Sequence, residues 1–178
     1  MKARTVVLLG MVIFWLTACA SQPPPQTVWR YETDAATIHV TADAKLNFDD
    51  GVPHTLVLCL YQLRDPNTFN QLSDDMPGIY KLLECGLFDG SVATAKRIIV
   101  HPGQDMDVRL DRAEGAKYVA AVAGYYELKK ERMIRLYEIP TVVETKGFFK
   151  KTTTSRPGPL KLTLELGPAQ MGQGKTEG

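Results

Sequence analysis

Apolar residues recur at every second position through most of this chain, the period of a β-strand with one dry and one wet face. TIHVTA (37–42) sets Ile38, Val40 and Ala42 on one side. DMDVRL (105–110) places Met106, Val108 and Leu110 inward and Asp107 and Arg109 outward. LKLTLEL (160–166) is the most regular, four leucines alternating with Lys161, Thr163 and Glu165. TLVLCLYQL (55–63) is apolar on both faces and reads as a central strand. AKRIIV (95–100), KYVAAVAGYYEL (117–128) and RMIRLYEI (132–139) complete the set. About seven short strands with turn signals between them predict a mainly β fold, a two-sheet β-sandwich. HPGQ supplies one such signal, since Pro102-Gly103 suits the middle of a type II turn.

One segment departs from period two. In RDPNTFNQLSDDMPGIYKLLECG, Asp65 can cap a helix whose first residue is Pro66, and Asp75 with Pro77 can start a second. Met76, Ile79, Tyr80 and Leu83 lie at helical spacing, and Gly86 is a natural stop. A small helical insertion is therefore expected between the second strand and the third.

The ends of the chain are different again. Lys2 and Arg4 precede a nearly unbroken apolar run, TVVLLGMVIFWL. That is roughly a dozen residues where a bilayer span needs about 20. A basic start followed by a short apolar core describes a secretory signal. The run ends in Leu16-Thr17-Ala18-Cys19, which resembles a bacterial lipobox cut before Cys19. On that reading residues 1–18 are a lipoprotein signal peptide and Cys19 carries the acyl chains. Residues 19–30, with SQPPPQ, form a proline-rich tether. Residues 31–167 form the sandwich, and the glycine-rich 168–178 a disordered tail. Ala20, rather than aspartate, follows the cysteine. By the common sorting rule this sends the lipoprotein to the outer membrane, facing the periplasm.

The whole chain has 21 Lys plus Arg and 20 Asp plus Glu. Loss of Lys2 and Arg4 with the signal leaves 19 against 20, a net charge of −1. A near-neutral body argues against nucleic acid, whose phosphates call for a basic stripe. Cys59 and Cys85 remain after lipidation. They are either a disulfide, which an oxidising compartment permits, or two buried thiols. No close Cys/His spacing suggests a metal, and no cofactor motif is present. His39, His54 and His101 have no patterned nucleophile or carboxylate beside them in sequence, so they read as surface or turn residues. Asp49-Asp50-Gly51 lacks the other ligands of a calcium loop. Asp74-Asp75 reads as a cap rather than an acid–base pair. No catalytic residue is assigned.

Surfaces are what remain. The loop between the first two strands is longer than a tight hairpin needs. Its Leu46 and Phe48 alternate with polar neighbours, as a binding anchor on a scaffolded loop would. Phe48 folding back as a plug is the other reading. A second stretch, ETKGFFKKTTTSRPG, sets Phe148-Phe149 beside Lys150-Lys151. It is either a membrane or partner contact or a hairpin with one inward phenylalanine.

The order of these motifs resembles the TssJ family, outer-membrane lipoproteins of bacterial type VI secretion. Behind the lipobox come Asn47, Gly51 and Pro53, then a strand ending in Tyr61-Gln62-Leu63. Asn67 to Phe69, Leu82 to Glu84 and the turn from Val100 to Gln104 follow in order. Tyr126 and Glu127 stand where the family strand often carries arginine and aspartate. The resemblance implies a transthyretin-like sandwich without enzyme activity. It also implies that the protein tethers a trans-envelope complex by binding the periplasmic domain of TssM, which works with TssL. The contact residues it implies are Asp43, Ala44, Lys45, Leu46, Asn47, Phe48, Asp49, Asp50, Gly51, Val52 and Pro53. Rival readings are a periplasmic lipoprotein that binds a small ligand and an enzyme on an unusual scaffold.

Overall fold

The computed structural model describes residues 25–147 and 152–177. The signal segment, Cys19 and the Phe148-Phe149-Lys150-Lys151 stretch lie outside them.

The regular leucine alternation organises the first sheet. β9 (Leu160–Leu166) lies parallel to β1 (Glu32–Ala42), pairing Ala36 with Leu160, Ile38 with Leu162, Val40 with Leu164 and Ala42 with Leu166. All eight side chains are buried. Each leucine so buried contributes about 1.5–3 kcal/mol. β4 (Asp105–Arg112) runs antiparallel along the other side of β1, with Val108 opposite Ile38. With β10 (Lys175–Glu177) at the edge, the sheet order is β10-β9-β1-β4. The outward row of Lys161, Thr163, His39 and Asp107 faces water, as period two requires.

The second sheet has the order β3-β2-β5-β6. It consists of β2 (Leu56–Leu63), β3 (Val92–Val100), β5 (Tyr118–Ala123) and β6 (Ile134–Glu138). The two sheets share one core, containing Ile38, Val40, Leu58, Leu60, Val119 and Leu164. Gln62 bolts them together. Its Nε2 donates to the Asp111 carbonyl at 2.7 Å, and its Oε1 accepts from the Ala113 N–H at 2.9 Å. The expected two-sheet sandwich with a small helical insertion is therefore what forms.

β2 is dry on both faces because the helices cover the side turned away from the sandwich. These are α1 (Asn67–Leu72) and α2 (Met76–Leu83). The Tyr61 hydroxyl donates to the Leu82 carbonyl at 2.6 Å, and its ring lies 6.0 Å from Phe69 and 5.8 Å from Phe88. That burial pushes the Tyr61 hydroxyl up to about 12. Cys59 on β2 forms a disulfide with Cys85 just beyond α2, their Cα atoms 5.1 Å apart. Of the two open readings of these cysteines, the bonded one holds.

Local chemistry explains most boundaries. Asp75 caps α2, its Oδ1 accepting from the Gly78 N–H at 2.7 Å. Asp65 accepts from the Asn67 N–H at 2.8 Å, but Pro66 sits in the cap position, so α1 begins one residue later than expected. The stop of α2 also shifts. Cys85 rather than Gly86 takes the left-handed conformation, at φ +55°. In the HPGQ turn, Gln104 N–H donates to His101 carbonyl at 3.1 Å and Gly103 sits at φ +72°.

Several expectations change. The long strand at 117–128 stops at Ala123, and a short helix, α3 (Lys130–Met133), leads into β6. β1 begins at Glu32, with a register shift before Ala36 and Asp34 at φ +49°. Of the two open readings of ETKGFFKKTTTSRPG, the hairpin holds: β7 (Thr141–Lys146) pairs with β8 (Thr152–Pro157) in a separate two-stranded ribbon. The tether enters the described residues at Pro25, and its last part is packed rather than swinging. Trp29 packs against the core, and its carbonyl accepts from Gly115 N–H at 2.8 Å. The tail is not disordered either. β10 (Lys175–Glu177) pairs with β9, and Met171 is buried at 1% exposure. Tertiary contact supplies the order that glycine-rich composition conceals.

Candidate functional site

The β1–β2 loop is built from a small set of hydrogen bonds. Asp43 N–H donates to the Leu166 carbonyl at 2.8 Å, which sets where the chain leaves the sheet. The Asp43 carboxylate then accepts from the Lys45 N–H at 2.7 Å, and its carbonyl from the Leu46 N–H at 2.9 Å. His54 N–H donates back to the Leu46 carbonyl at 3.0 Å and closes the loop's neck.

At the tip, Asp49 and Val52 exchange two backbone hydrogen bonds, both 3.0 Å. Asp50 at φ +47° and Gly51 at φ +82° turn the chain between them. Two successive left-handed residues are the type I′ hairpin turn, for which Asp-Gly is a preferred pair. That dipeptide was the signal for a tight tip that the sequence reading missed. A second hairpin thus sits inside what read as a plain polar loop.

Asn47 decides which way the loop's apolar residues point. In a strand Leu46 and Phe48 would share a face. Asn47 takes φ +47°, which breaks the alternation and turns the two apart. Leu46 is fully buried in the core, whereas Phe48 is 42% exposed. The expectation that both are contact residues is therefore corrected. Leu46 is the plug, and Phe48 is the exposed ring. Asn47, only 5% exposed, is held by both ends of its amide. Its Oδ1 accepts from the Tyr126 N–H at 3.0 Å and its Nδ2 donates to the Thr55 carbonyl at 3.3 Å.

Around this frame stand exposed apolar groups. Val52 is half exposed, and Tyr126 and, on α2, Tyr80 are about 60% exposed. The Lys45 ammonium lies 5.8 Å from the Phe48 ring centre, a cation–π contact. The His54 ring meets Tyr126 edge-on at 5.0 Å. Among the remaining predicted contacts, Asp43, Ala44, Lys45, Asp50, Gly51, Val52 and Pro53 are exposed and Asp49 is half-buried.

Phe48, Asp49, Tyr126, Glu127, Pro168 and Ala169 edge an open dish of about 270 Å³. That is below the roughly 300–1,000 Å³ of clefts that enclose small molecules. Glu127 is engaged by Lys129 and Arg132, and the hydrogen bond from Lys129 holds its carboxyl below the usual range. The arrangement can accept a protruding apolar side chain from another protein.

The histidines hold one correction. His39 faces two carboxylates across the first sheet, Asp107 Oδ1 at 2.8 Å from Nδ1 and Asp105 Oδ2 at 3.5 Å from Nε2. Sequence spacing hid this, because the cluster is made by β1–β4 register. The three side chains are 41–63% exposed on a wet sheet face. Among the described residues, no group of three His, Cys, Asp or Glu could hold a metal ion. No helix among them is long and apolar enough to cross a membrane.

Comparison with known proteins bears on this frame. Residues 34–167 match the family profile T6SS-SciN, described as type VI secretion lipoprotein (VasD, EvfM, TssJ). No curated protein matches the chain. Among solved structures it is similar to the type VI lipoprotein TssJ1 from Pseudomonas aeruginosa. The TM-score is 0.58 at 18% identity, over 80% of this chain and 95% of that one. It is similar to Serratia marcescens Lip, a membrane-bound component of the type VI secretion system. There the TM-score is 0.56 at 15% identity, over 80% and 96%. A third similar chain lies in a structure described as the type VI protein TssM C-terminal domain from EAEC. Its TM-score is 0.55 at 16% identity, over 80% and 97%.

Proposed function

The chain belongs to the type VI secretion lipoprotein family, and from that premise we propose that it anchors the secretion system's trans-envelope complex to the outer membrane. It does so by binding the periplasmic domain of TssM, in a complex that also contains TssL. The β1–β2 loop makes the contact. The observation that carries this reading is an exposed Phe48 on a loop whose neighbours Leu46 and Asn47 are locked into the domain. A rigid exposed ring loses little side-chain entropy on binding, which is what makes aromatic anchors effective. The protein's role is structural and not enzymatic, in keeping with its family.

The membrane end of the reading rests on Cys19. Acylation after signal cleavage would leave three chains on residue 19. Each buried methylene contributes about 0.8 kcal/mol, and durable anchoring needs more than one chain. The body then faces the periplasm. The depressions beside the loop, about 270 and 380 Å³, are open rather than enclosed, which does not favour the small-ligand alternative.

The test is binding of the full chain, in detergent, to the TssM periplasmic domain. Phe48→Ala should weaken the affinity by about thirtyfold or more, the roughly 2 kcal/mol expected of an interface anchor. Its thermal midpoint should stay near that of the parent, because the ring is 42% exposed. Unchanged affinity would move the interface elsewhere on the sandwich. In cells, Cys19→Ser should abolish fractionation with outer membranes. Retention there would defeat the lipobox argument.

A further inference from the structure

The segment after β9 underlies the loop. Phe48 N–H donates to the Pro168 carbonyl at 2.7 Å, and Asn47 N–H approaches the Gly167 carbonyl at 3.5 Å. Pro168 and Ala169 also edge the dish beside Phe48 and Tyr126. The segment is fixed on its far side. Met171 is buried, its N–H donates to the Arg132 carbonyl at 2.7 Å, and Gly172 N–H donates to Glu165 carbonyl at 2.7 Å. The Arg135 guanidinium donates to the Met171 carbonyl and, at 3.0 Å, to that of Gly172. The matched family region ends at residue 167.

We infer that residues 168–171 are a positioning element of the docking surface. Met171 acts as the pin, Pro168 holds the backbone of Phe48, and Ala169 forms part of the wall that the partner meets. This rests on the proposed TssM-binding reading for its partner, and on the structure alone for the bracing. An anchor ring is effective only when its backbone is held, and the amide of Phe48 is held by this segment. The side chains divide the two jobs. Met171 points into the core, whereas Ala169 is exposed.

Three variants of the full chain in detergent separate these roles. Met171→Ala should speed amide exchange at Phe48 at least tenfold, read by NMR without any partner, and weaken TssM binding at least tenfold. Met171→Leu should restore both. Ala169→Arg should leave the thermal midpoint and the Phe48 exchange rate as in the parent, yet weaken binding at least tenfold. If Met171→Ala lowers the thermal midpoint while Phe48 exchange stays unchanged, the segment is only a cover for the sheet and the inference is overturned. If Ala169→Arg binds like the parent, the segment is no part of the contact surface and that half is overturned. If the parent itself does not bind TssM, the partner assignment fails, and the exchange measurement alone decides the bracing.

Discussion

Replacing Asn47 tests the logic of the loop most directly. The residue sits at φ +47°, nearly buried, with both ends of its amide engaged. In Asn47→Ala, the alanine must adopt the left-handed region, at about 1–2 kcal/mol. The Tyr126 N–H loses its acceptor, and a part-buried donor left without one costs about 1 kcal/mol or more. The longer bond to the Thr55 carbonyl adds about 0.5 kcal/mol. Together these come to about 2–4 kcal/mol. For a chain of this size each kcal/mol moves the thermal midpoint by about 2–4 °C. Asn47→Ala should therefore lower it by roughly 5–15 °C in calorimetry. Asn47→Gly removes the same hydrogen bonds but not the conformational freedom. It should lie about 1 kcal/mol above alanine. A midpoint within about 2 °C of the parent for Asn47→Ala would refute the bracing argument. A glycine variant no more stable than alanine would refute the strain part of it.

Three further outcomes are expected. The double variant Cys59→Ala/Cys85→Ala opens a link across a sequence separation of 26, and urea unfolding should show a loss of about 3–4 kcal/mol by the chain-entropy relation. The raised hydroxyl of Tyr61 stabilises the fold fully below the unfolded-state value of about 10. That contribution is lost as pH climbs through the folded value of about 12, so stability measured by denaturant should fall across this window and not between pH 7 and 9. Glu32→Gln removes the charge facing Arg112, which is 4% exposed. A loss of about 1–3 kcal/mol is expected, below the roughly 3–5 of a fully buried pair because Glu32 itself is 54% exposed, and chemical denaturation would measure it.

Much of the sandwich was legible because its strands have one wet face. The leucines of β9, the alternation of β4 and the doubly apolar β2 all appeared at their true places. So did the Asp75 cap and the turn at Pro102-Gly103. The β7–β8 hairpin was legible only as one of two readings, for the opposite reason. Its side chains are mostly exposed on both faces, so the threonine-rich run carries no hydrophobic period. The N-terminal part of β1 was hidden by its bulge at Asp34. β10 and Met171 were hidden because a glycine-rich segment gains its order only from the sheet it lies against. In the candidate site, position in sequence singled out the β1–β2 loop. It could not assign Leu46 and Phe48 their opposite roles, since these depend on one left-handed residue between them. The His39 cluster likewise exists only through the β1–β4 register.

The parallel pairing of β1 with β9 has a mechanical consequence. The tether enters at one end of β1, and the β1–β2 loop leaves from the other. β1 is 11 residues long, so about 36 Å of a single strand separates the two ends. If the chain is held by its lipids and pulled through that loop, as proposed, the load runs along that strand. β1 is interior to its sheet, bonded to β4 on one side and to β9 on the other. Tension that enters at one end of this strand and leaves at the other is carried by its own covalent backbone, so neither ladder has to slide past its neighbour. Peeling a strand from an edge would break the rungs one after another.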